Sequence, residues 1–419
     1  MTWAAVAGVP FYALAVIARH PRRWREVRER FGLIEHRTGE VIWIQAASVG
    51  ELQVARVLAN ALQHREPERA LRLSVTTPAA RRLLRAGVHA ADAFTFPVDL
   101  PLVMKRAIAA VRPNLFVAIE TEIWPNLYDG LRRANVPIVL VNGRISDRSW
   151  PRYRRLHRLF RPLLNSIRLV CARTQQDAER FVALGVPAER VHAAGDLKFD
   201  RPPPSPIALP ARLARWMTDR RVLIAGSTHA GEENIALAAA EAAAHAGKAP
   251  VTVILAPRHA DRFGEVARLL ETSGRPWAAR TALPANPAVR PDKPVYVILL
   301  DGHGELASLY AHADVAFLGG TLVPVGGHNP LEAAAAGTAT VSGPHLANVR
   351  HTMNVLARTG GAVIARGERD AVRHLSRLLS DPAESSRRGT AARRTVEAHR
   401  GATGRVVSIL EPLLRATAT

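Results

Sequence analysis

Glu51 is the first residue whose type and position suggest chemistry. It lies in the segment IQAASVGELQVARVL, which is typical of a strand, a tight turn at Gly50 and an amphipathic helix. A carboxylate after the carboxyl end of a parallel strand lies where α/β sheets bind ligands, and there it can accept a proton as a general base. A carboxylate in the first turn of a helix also stabilises the helix through its dipole. The segment alone leaves both interpretations open.

Acidic and basic residues also follow other predicted strands in the first half of the chain. Glu120 and Glu122 come directly after the apolar run LFVAI, and their alternation predicts that both carboxylates lie on one face. Two neighbouring carboxylates are unfavourable unless one is paired or functional, so ion pairs with arginines are the structural alternative. Lys198, in the motif GDLKFD, either faces a ligand or is a solvated surface residue.

Glycine-containing turns follow several predicted strands in the second half. They are AGSTHAGEE, APRH, DGHGEL and GGTLVPVGGHNPLEAAAAG. Helix N-termini, small hydroxyls and arginine bind phosphate, and a plain helix N-cap is the structural alternative. Together these turns predict a nucleotide-binding edge. The residues that could contact a phosphate or another part of the bound nucleotide are Ser227, Thr228, Gly326, Gly327 and His328.

The last of these turns also predicts a helix start. Asn329 would be the N-cap and Pro330 the first helical residue, and Glu332 would complete a capping box by accepting the backbone N–H of Asn329. A ligand would compete for the same carboxylate. The sequence therefore poses a geometric question, which is the partner that the Glu332 carboxylate faces.

The elements that carry these motifs alternate between strand and helix. Ten apolar runs are predicted strands: VIWIQAAS, LRLSVTT, LFVAIET, PIVLVNG, IRLVCART, RVLIAGS, VTVILAP, VYVIL, ADVAFLGG and TATVSG. Apolar runs separated by helical segments predict parallel sheets covered on both faces, and hence an α/β fold of two Rossmann-like domains with a cleft between them.

The predicted domain boundaries follow from composition. Five prolines in residues 200–213 predict a stiff, extended linker. The predicted parts are an apolar anchor and basic segment at 1–32, an N-terminal domain at 33–199, the linker at 200–213, a C-terminal domain at 214–400 and a C-terminal helix at 401–419 that could cross back to the N-terminal domain.

The net charge of +21 predicts an anionic partner, which could be nucleic acid, an anionic membrane surface or a phosphorylated substrate. No recognisable nucleic-acid-binding motif is present, and 5% aromatic residues are few for base stacking, so a nucleic-acid-binding protein is an alternative that rests on charge alone. The single Cys171 excludes an internal disulfide, and the histidines show no metal-binding spacing, so no metal site is predicted.

The N-terminus predicts contact with a membrane. Residues 1–18 contain no charged side chain, and an arginine-rich stretch follows them. This order predicts a membrane anchor or interfacial helix with the body of the protein on the cytoplasmic side, and a packed soluble helix is the alternative.

Taken together, the motifs resemble those of the Kdo transferases of Gram-negative bacteria, which attach the acidic sugar Kdo (3-deoxy-D-manno-octulosonic acid) to a lipid A precursor. The motifs that carry the resemblance are ASVGE, FPVDLP, ETEIWPN, NGRISDRS, DAERFVALG, GDLKFD, GSTHAGEE, PRH, GEL and GGHNPLEAAAAG. They occur in the family's order. This chain departs from the family pattern at His303, where it has DGHGEL and the family usually has DTMGEL.

The resemblance implies a GT-B glycosyltransferase that moves Kdo from CMP-Kdo to a lipid A precursor with inversion, without cofactor or metal, at the cytoplasmic face of the inner membrane. It implies that Glu51 is the proton acceptor and that Glu120 and Lys198 support the transition state. The residues that it assigns to CMP are Pro257, Arg258, His303, Gly304, Glu305, Asn329, Pro330, Leu331 and Glu332. A GT-B nucleotide-sugar epimerase is the nearest alternative.

Overall fold

A computed structural model describes residues 24–37, 39–85, 92–201, 211–246, 249–283, 293–302 and 304–417. The chain divides into two compact units, the first made of residues 1–201 and 399–419 and the second of residues 202–398. The predicted N-terminal anchor, most of the proline-rich linker and His303 lie outside the described residues. Within the described ranges, no helix is both long and apolar enough to cross a membrane.

The first unit is built from strands and helices in strict alternation over most of its length. Its elements up to the linker are α1 (Trp24–Arg30), β1 (Val41–Ala46), α2 (Val49–Arg65), β2 (Ala70–Val75), α3 (Pro78–Arg85), β3 (Ala93–Thr95), α4 (Pro101–Val111), β4 (Leu115–Ile119), α5 (Pro125–Arg133), β5 (Ile138–Gly143), α6 (Trp150–Arg155), α7 (His157–Asn165), β6 (Ile167–Ala172), α8 (Gln175–Ala183) and β7 (Val191–Ala193).

The second unit repeats this alternation. Its elements are α9 (Ala211–Met217), β8 (Arg221–Thr228), α10 (Glu232–His245), β9 (Val251–Pro257), α11 (Phe263–Thr272), β10 (Trp277–Ala279), β11 (Val295–Leu299), α12 (Leu306–Leu309), β12 (Val315–Leu318), α13 (Leu331–Ala336), β13 (Ala339–Ser342), α14 (Arg350–Arg358), β14 (Ala362–Ile364), α15 (Glu368–Ser380) and α16 (Pro382–His399). The last helix of the chain, α17 (Ala402–Ala416), belongs to the first unit.

Each unit contains one parallel sheet of seven strands. The order is β3-β2-β1-β4-β5-β6-β7 in the first unit and β10-β11-β9-β8-β12-β13-β14 in the second. The direction in which the chain adds strands reverses between β1 and β4 and between β8 and β12. In open α/β sheets, the crevice at such a reversal, beyond the carboxyl ends of the strands, is where ligands bind.

All ten predicted strands are present, and the predicted α/β class is confirmed. The central strands β1, β4 and β5 are buried along their whole length, because helices cover both faces of the sheet. The four strands that the sequence did not predict, β3, β7, β10 and β14, have three residues each and lie at the sheet edges. Three residues are too few to show a periodic apolar pattern.

The last helix is fixed to the first unit by apolar packing and by a cap. Val406, Leu410 and Leu414 of α17 are fully buried in the same core as the apolar face of α2. The carboxylate of Asp200 accepts the backbone N–H groups of Gly401 and Thr403 and so caps the start of α17.

Candidate active site

Glu51 lies in the first turn of α2, directly beyond the end of β1. Ser48 is the N-cap, and its hydroxyl oxygen accepts the Glu51 backbone N–H at 3.3 Å. The Glu51 carboxylate accepts the Ala47 backbone N–H at 2.6 Å and the Ser48 hydroxyl at 3.0 Å. The Glu51 side chain therefore stabilises the start of the helix, as the structural interpretation predicts. Each carboxylate oxygen retains a second lone pair for another donor.

The electrostatic environment of Glu51 favours proton exchange near neutral pH. Burial, and after it the nearby charges of Glu120 and Glu122, raise the pKa of Glu51 to about 7, although the hydrogen bonds from Ala47 and Ser48 lower it. A general base works best when its pKa is close to the working pH. Such a shift by burial and like charges is typical of functional carboxylates.

Glu120 follows β4 at the strand-order reversal and pairs with two cations. Its carboxylate accepts a hydrogen bond from Lys198 Nζ at 2.9 Å and lies 3.7 Å from Arg144 Nη1. Burial opposes ionisation, but Lys198 and Arg144 outweigh it, and the pKa of Glu120 is below its ordinary value. The structural alternative, an ion pair with an arginine, is present together with a closer pair to Lys198 that was not predicted. These cations hold an ionised carboxylate whose charge acts on Glu51.

The strand alternation that predicted a shared face for Glu120 and Glu122 does not extend to these residues, so that prediction is wrong in its basis. Strand β4 ends at Ile119, and Glu120 has a φ of 62°, so the alternation of strand residues does not continue through it. A left-handed backbone at a residue other than glycine is strained by about 1–3 kcal/mol and persists where the surrounding structure enforces it. Such strain at a carboxylate favours a functional role.

Glu122 belongs to a second, largely buried polar chain. Its carboxylate accepts Trp124 Nε1 at 2.9 Å and Gln45 Nε2 at 3.5 Å, and Gln45 is in turn bonded to Ser74. Burial, opposed by these donors, raises the pKa of Glu122. Gln45 is fully buried in β1, and a polar residue inside the apolar run VIWIQAAS was the one signal that could have identified it.

Lys198 is positioned by contacts that the sequence did not reveal. It lies in a 3-10 turn, Leu197–Asp200, whose start is capped by Asp196 accepting the Lys198 N–H at 3.0 Å. The Leu197 N–H donates to the side chain of Asn142, which itself has a φ of 57°. These partners come from the ends of β5 and β7, so only the folded sheet brings them together.

In the second unit, the turn after β8 is occupied by internal hydrogen bonds. The Thr228 hydroxyl donates to Glu233 at 2.7 Å, and Thr228 is fully buried. The N-cap of α10 is Gly231, so neither Ser227 nor Thr228 caps the helix as the structural alternative required. Ser227 has a φ of 57° and is partly exposed. The Ser227 hydroxyl, unlike that of Thr228, is therefore available to a ligand.

Glu232 ties the glycine-rich loop after β12 to the start of α10. Its carboxylate accepts the backbone N–H groups of Gly320 at 2.7 Å and of Thr321 and Leu322 at 3.0 Å, as well as that of His229 at 2.9 Å. Glycine is required at position 319, because a Cβ there would lie 2.2 Å from the Ser227 carbonyl oxygen. The loop is therefore rigidly placed at the reversal of strand order.

The same loop positions three of the candidate phosphate contacts. The N–H groups of Gly326 and Gly327 donate to the Gly320 carbonyl at 3.1 and 2.7 Å, so they stabilise the loop and are not free for phosphate. His328 follows them, and its Nε2 lies 2.9 Å from Nε2 of His229.

The Glu332 carboxylate is bonded to the side chain of Asn329 at the start of α13. Helix α13 begins at Leu331 with Pro330 as its N-cap, one residue later than predicted. The Asn329 side chain accepts the Leu331 N–H at 3.1 Å and donates to the Glu332 carboxylate at 2.9 Å. The Glu332 carboxylate thus accepts a hydrogen bond from the Asn329 side-chain amide, and α13 starts one residue later than the predicted capping box requires.

The other residues assigned to CMP lie at strand ends of the same sheet. Pro257 ends β9, and Arg258 follows it with its N–H bonded to the Thr228 carbonyl at 3.0 Å. Gly304 has a φ of 91°, and Glu305 accepts Arg280 Nε at 3.0 Å. His303 cannot be placed among them, since it is outside the described residues.

Metal-ligating residues do not cluster in the part of the chain that the structure describes. No group of three histidine, cysteine, aspartate or glutamate side chains there is arranged to hold a metal ion. Independence from metals and cofactors remains a prediction.

Comparison with known proteins assigns the chain to a family. Residues 25–201 match the family model of the 3-deoxy-D-manno-octulosonic-acid transferases (kdotransferases). The chain is 32% identical over 404 residues to the 3-deoxy-D-manno-octulosonic acid transferase of Haemophilus influenzae, covering 94% of this chain and 93% of that protein. It is 34% identical over 385 residues to the enzyme of the same name from Bordetella pertussis, covering 89% and 87%.

The fold agrees with this assignment. The MurG structure of Acinetobacter baumannii, a GT-B glycosyltransferase, matches with a TM-score of 0.55 at 15% identity, over 90% of this chain and all of that one. At such low identity the likeness shows the fold alone, and it confirms the predicted GT-B architecture. The resemblance seen in the motifs is confirmed as well, and the protein belongs to the 3-deoxy-D-manno-octulosonic acid (Kdo) transferase family of glycosyltransferases.

Proposed function

We propose that the protein transfers Kdo from CMP-Kdo to a lipid A precursor with inversion at the anomeric carbon, and that Glu51 is the base. The observation that carries the proposal is the position of Glu51 at the β1–β4 reversal, with a pKa raised to about 7, beside the ion-paired Glu120. A sugar hydroxyl is a weak nucleophile, so a carboxylate must accept its proton as the glycosidic bond forms.

The other residues have complementary roles in this proposal. Lys198 and Arg144, both paired with Glu120, supply fixed positive charge that supports the transition state. The second unit binds CMP through Arg258, Glu305 and the turn at Asn329–Glu332. These residues lie at the carboxyl ends of its strands, where parallel sheets bind nucleotides.

Mass analysis of the product tests the proposal. The pure protein is incubated with CMP-Kdo and a lipid A precursor, and a product heavier by one or more Kdo residues is expected together with free CMP. A parallel incubation with a UDP-sugar and no lipid examines the epimerase alternative. No Kdo-lipid product, or turnover of the UDP-sugar alone, would refute the proposal.

We also propose that the first unit contacts an anionic membrane, because its acceptor is a phosphorylated lipid. The segment 148–168, which contains α6 and α7, carries seven arginines and no acidic residue. Leu156 and Leu159 within it are 40% and 68% exposed. Basic residues interleaved with exposed apolar side chains are typical of a surface that lies on anionic lipid.

Vesicle binding tests this segment. The triple variant Arg155→Gln, Arg158→Gln and Leu159→Ser should bind phosphatidylglycerol vesicles at least about tenfold more weakly, since each arginine contributes about 1 kcal/mol near such a surface. The matched control is Arg369→Gln with Arg377→Gln, which removes the same charge from α15. Equal binding of the triple variant and the control, measured by co-sedimentation with the full chain, would exclude this segment as the membrane contact.

A further inference from the structure

Two histidines meet at the strand-order reversal of the second unit. His229 follows β8, and His328 lies in the loop that leads from β12 to α13. Their Nε2 atoms are 2.9 Å apart, and their rings are parallel within 2°. A third histidine, His259 after β9, packs its ring edge-on to His229 with centroids 5.7 Å apart.

The pair is held in place by contacts to the backbone. Glu232 bonds the His229 N–H and the N–H groups of the loop that carries His328. Gly320 packs so closely that a Cβ there would lie 3.1 Å from His328 Nε2. Glu232 thus joins the backbone at His229 to the loop that carries His328, and the two rings meet where these segments are tied together.

This geometry admits only some protonation states. One Nε2 must donate its proton and the other must accept it. The uncharged pair therefore has one proton between the two Nε2 atoms, and the singly charged pair carries one additional proton at an Nδ1 atom. Two Nε2–H groups cannot face each other at 2.9 Å.

The groups around the pair keep it uncharged at neutral pH. Burial lowers the pKa of His328 to about 4, with help from Arg258, His229 and His259. Burial also lowers the pKa of His229. His259 and Arg262 act in the same direction, while Glu232 and Glu233 oppose it.

The nearby charges therefore favour an incoming anion. Arg258 is exposed, whereas the carboxylate of Glu233 is paired with Arg262 at 2.7 Å and that of Glu232 is bonded to backbone N–H groups. Among the described residues, neither Nδ1 atom of the pair has a hydrogen-bond partner, so each can serve an additional ligand. An anionic oxygen at this place would favour the charged form of the pair that burial now disfavours.

We infer that the His229–His328 pair binds an anionic oxygen of the donor, a phosphate or carboxylate oxygen, and takes up one proton from solvent as it does so. The inference rests on the proposed function, because it assumes that the donor binds at this edge of the sheet. The proton enters at an Nδ1 atom, and the bond between the two Nε2 atoms is kept. The pair then carries one positive charge against the anion. No covalent bond changes.

Linkage then predicts how donor binding depends on pH. A site that gains a proton on binding has an association constant that falls with rising pH, by up to about tenfold per pH unit above the pKa of the free pair. CMP at pH 7.5 is the first probe, because its phosphate is then mostly dianionic. CMP-Kdo, which also carries a carboxylate, is the second.

Calorimetric titration in two buffers of different ionisation enthalpy measures the proton uptake. We expect uptake of up to one proton per ligand in the wild type, none in His328→Gln, and wild-type uptake in the matched surface variant His312→Gln. Uptake with CMP identifies the phosphate as the anion, and uptake with CMP-Kdo only identifies the carboxylate. Because His328→Gln could misfold, nitrogen chemical shifts of the wild-type imidazoles give an independent reading, and both rings should shift on binding.

Two results would overturn the inference, and they differ in what else they exclude. Binding of CMP and CMP-Kdo without proton uptake or imidazole shifts would refute the role of the pair and leave the proposed function intact. Failure of both ligands to bind would refute the proposed function and the inference with it.

Discussion

Replacement of Glu51 by glutamine should lower the rate of Kdo transfer by about 10²–10⁴-fold, the usual contribution of a general base. Glutamine is close to glutamate in size, and its amide can accept the Ala47 N–H and donate to the Ser48 hydroxyl, so the helix start is kept. The matched control is Glu68→Gln, which makes the same change at an exposed position and should retain wild-type activity.

The pH dependence of the stability of Glu51→Gln distinguishes a buried carboxyl with a raised pKa from a residue that only caps the helix. A carboxyl whose pKa rises from 4.5 to about 7 on folding favours the folded state only while it is protonated, and this benefit is lost as the pH rises towards 7. Above pH 7 the charged group opposes folding by about 3 kcal/mol at most.

Glu51→Gln should therefore unfold at a higher temperature than the wild type at pH 8, with little difference at pH 4. A plain capping role predicts the reverse, a loss of stability at pH 8. Thermal unfolding at the two pH values, followed for the first unit, distinguishes the two outcomes. Retention of near-full activity by Glu51→Gln would remove Glu51 as the base while leaving the family assignment unchanged.

Replacement of Lys198 by methionine should affect both stability and activity. It removes the 2.9 Å partner of Glu120 and leaves that buried carboxylate with Arg144 at 3.7 Å. Loss of one member of a buried pair costs about 3–5 kcal/mol, and partial exposure of Lys198 places the expected loss at the lower end. Activity should fall at least about 10²-fold if the cation supports charge in the transition state.

A double variant decides between structural and catalytic roles of this pair. Glu120→Gln with Lys198→Met removes both charges, so it should recover most of the lost stability but none of the lost activity. Recovery of activity together with stability would show that the pair only supports the fold. Arg132→Met, which breaks an exposed 2.9 Å pair with Asp129, is the control and should change stability by less than about 1 kcal/mol.

The central part of the fold was predictable because its strands are long and apolar. Each of the ten predicted strands carries enough buried side chains to show its pattern. The three-residue strands at the edges show no such pattern. Their pairing depends on neighbouring strands that are distant in the sequence.

The candidate site was predictable only where a motif is local. The N-terminal position of Glu51 in α2 could be predicted because Ser48, Gly50 and Glu51 are adjacent. The ion pair of Glu120 with Lys198 joins residues 78 positions apart, and the bond between His229 and His328 joins residues 99 apart. Such contacts arise from the sheet topology, which no local spacing contains.

The pH dependence of transfer tests most directly whether Glu51 acts as the base. With the donor saturating, so that proton uptake by donor binding does not contribute, kcat/KM for the acceptor should rise with pH through an apparent pKa of about 7 and then level off. In Glu122→Gln this rise should move to lower pH, because the charge of Glu122 helps to raise the pKa of Glu51. A profile without a rise between pH 6 and 8, or a rise that stays in place in Glu122→Gln, would contradict the assignment of Glu51 as the base.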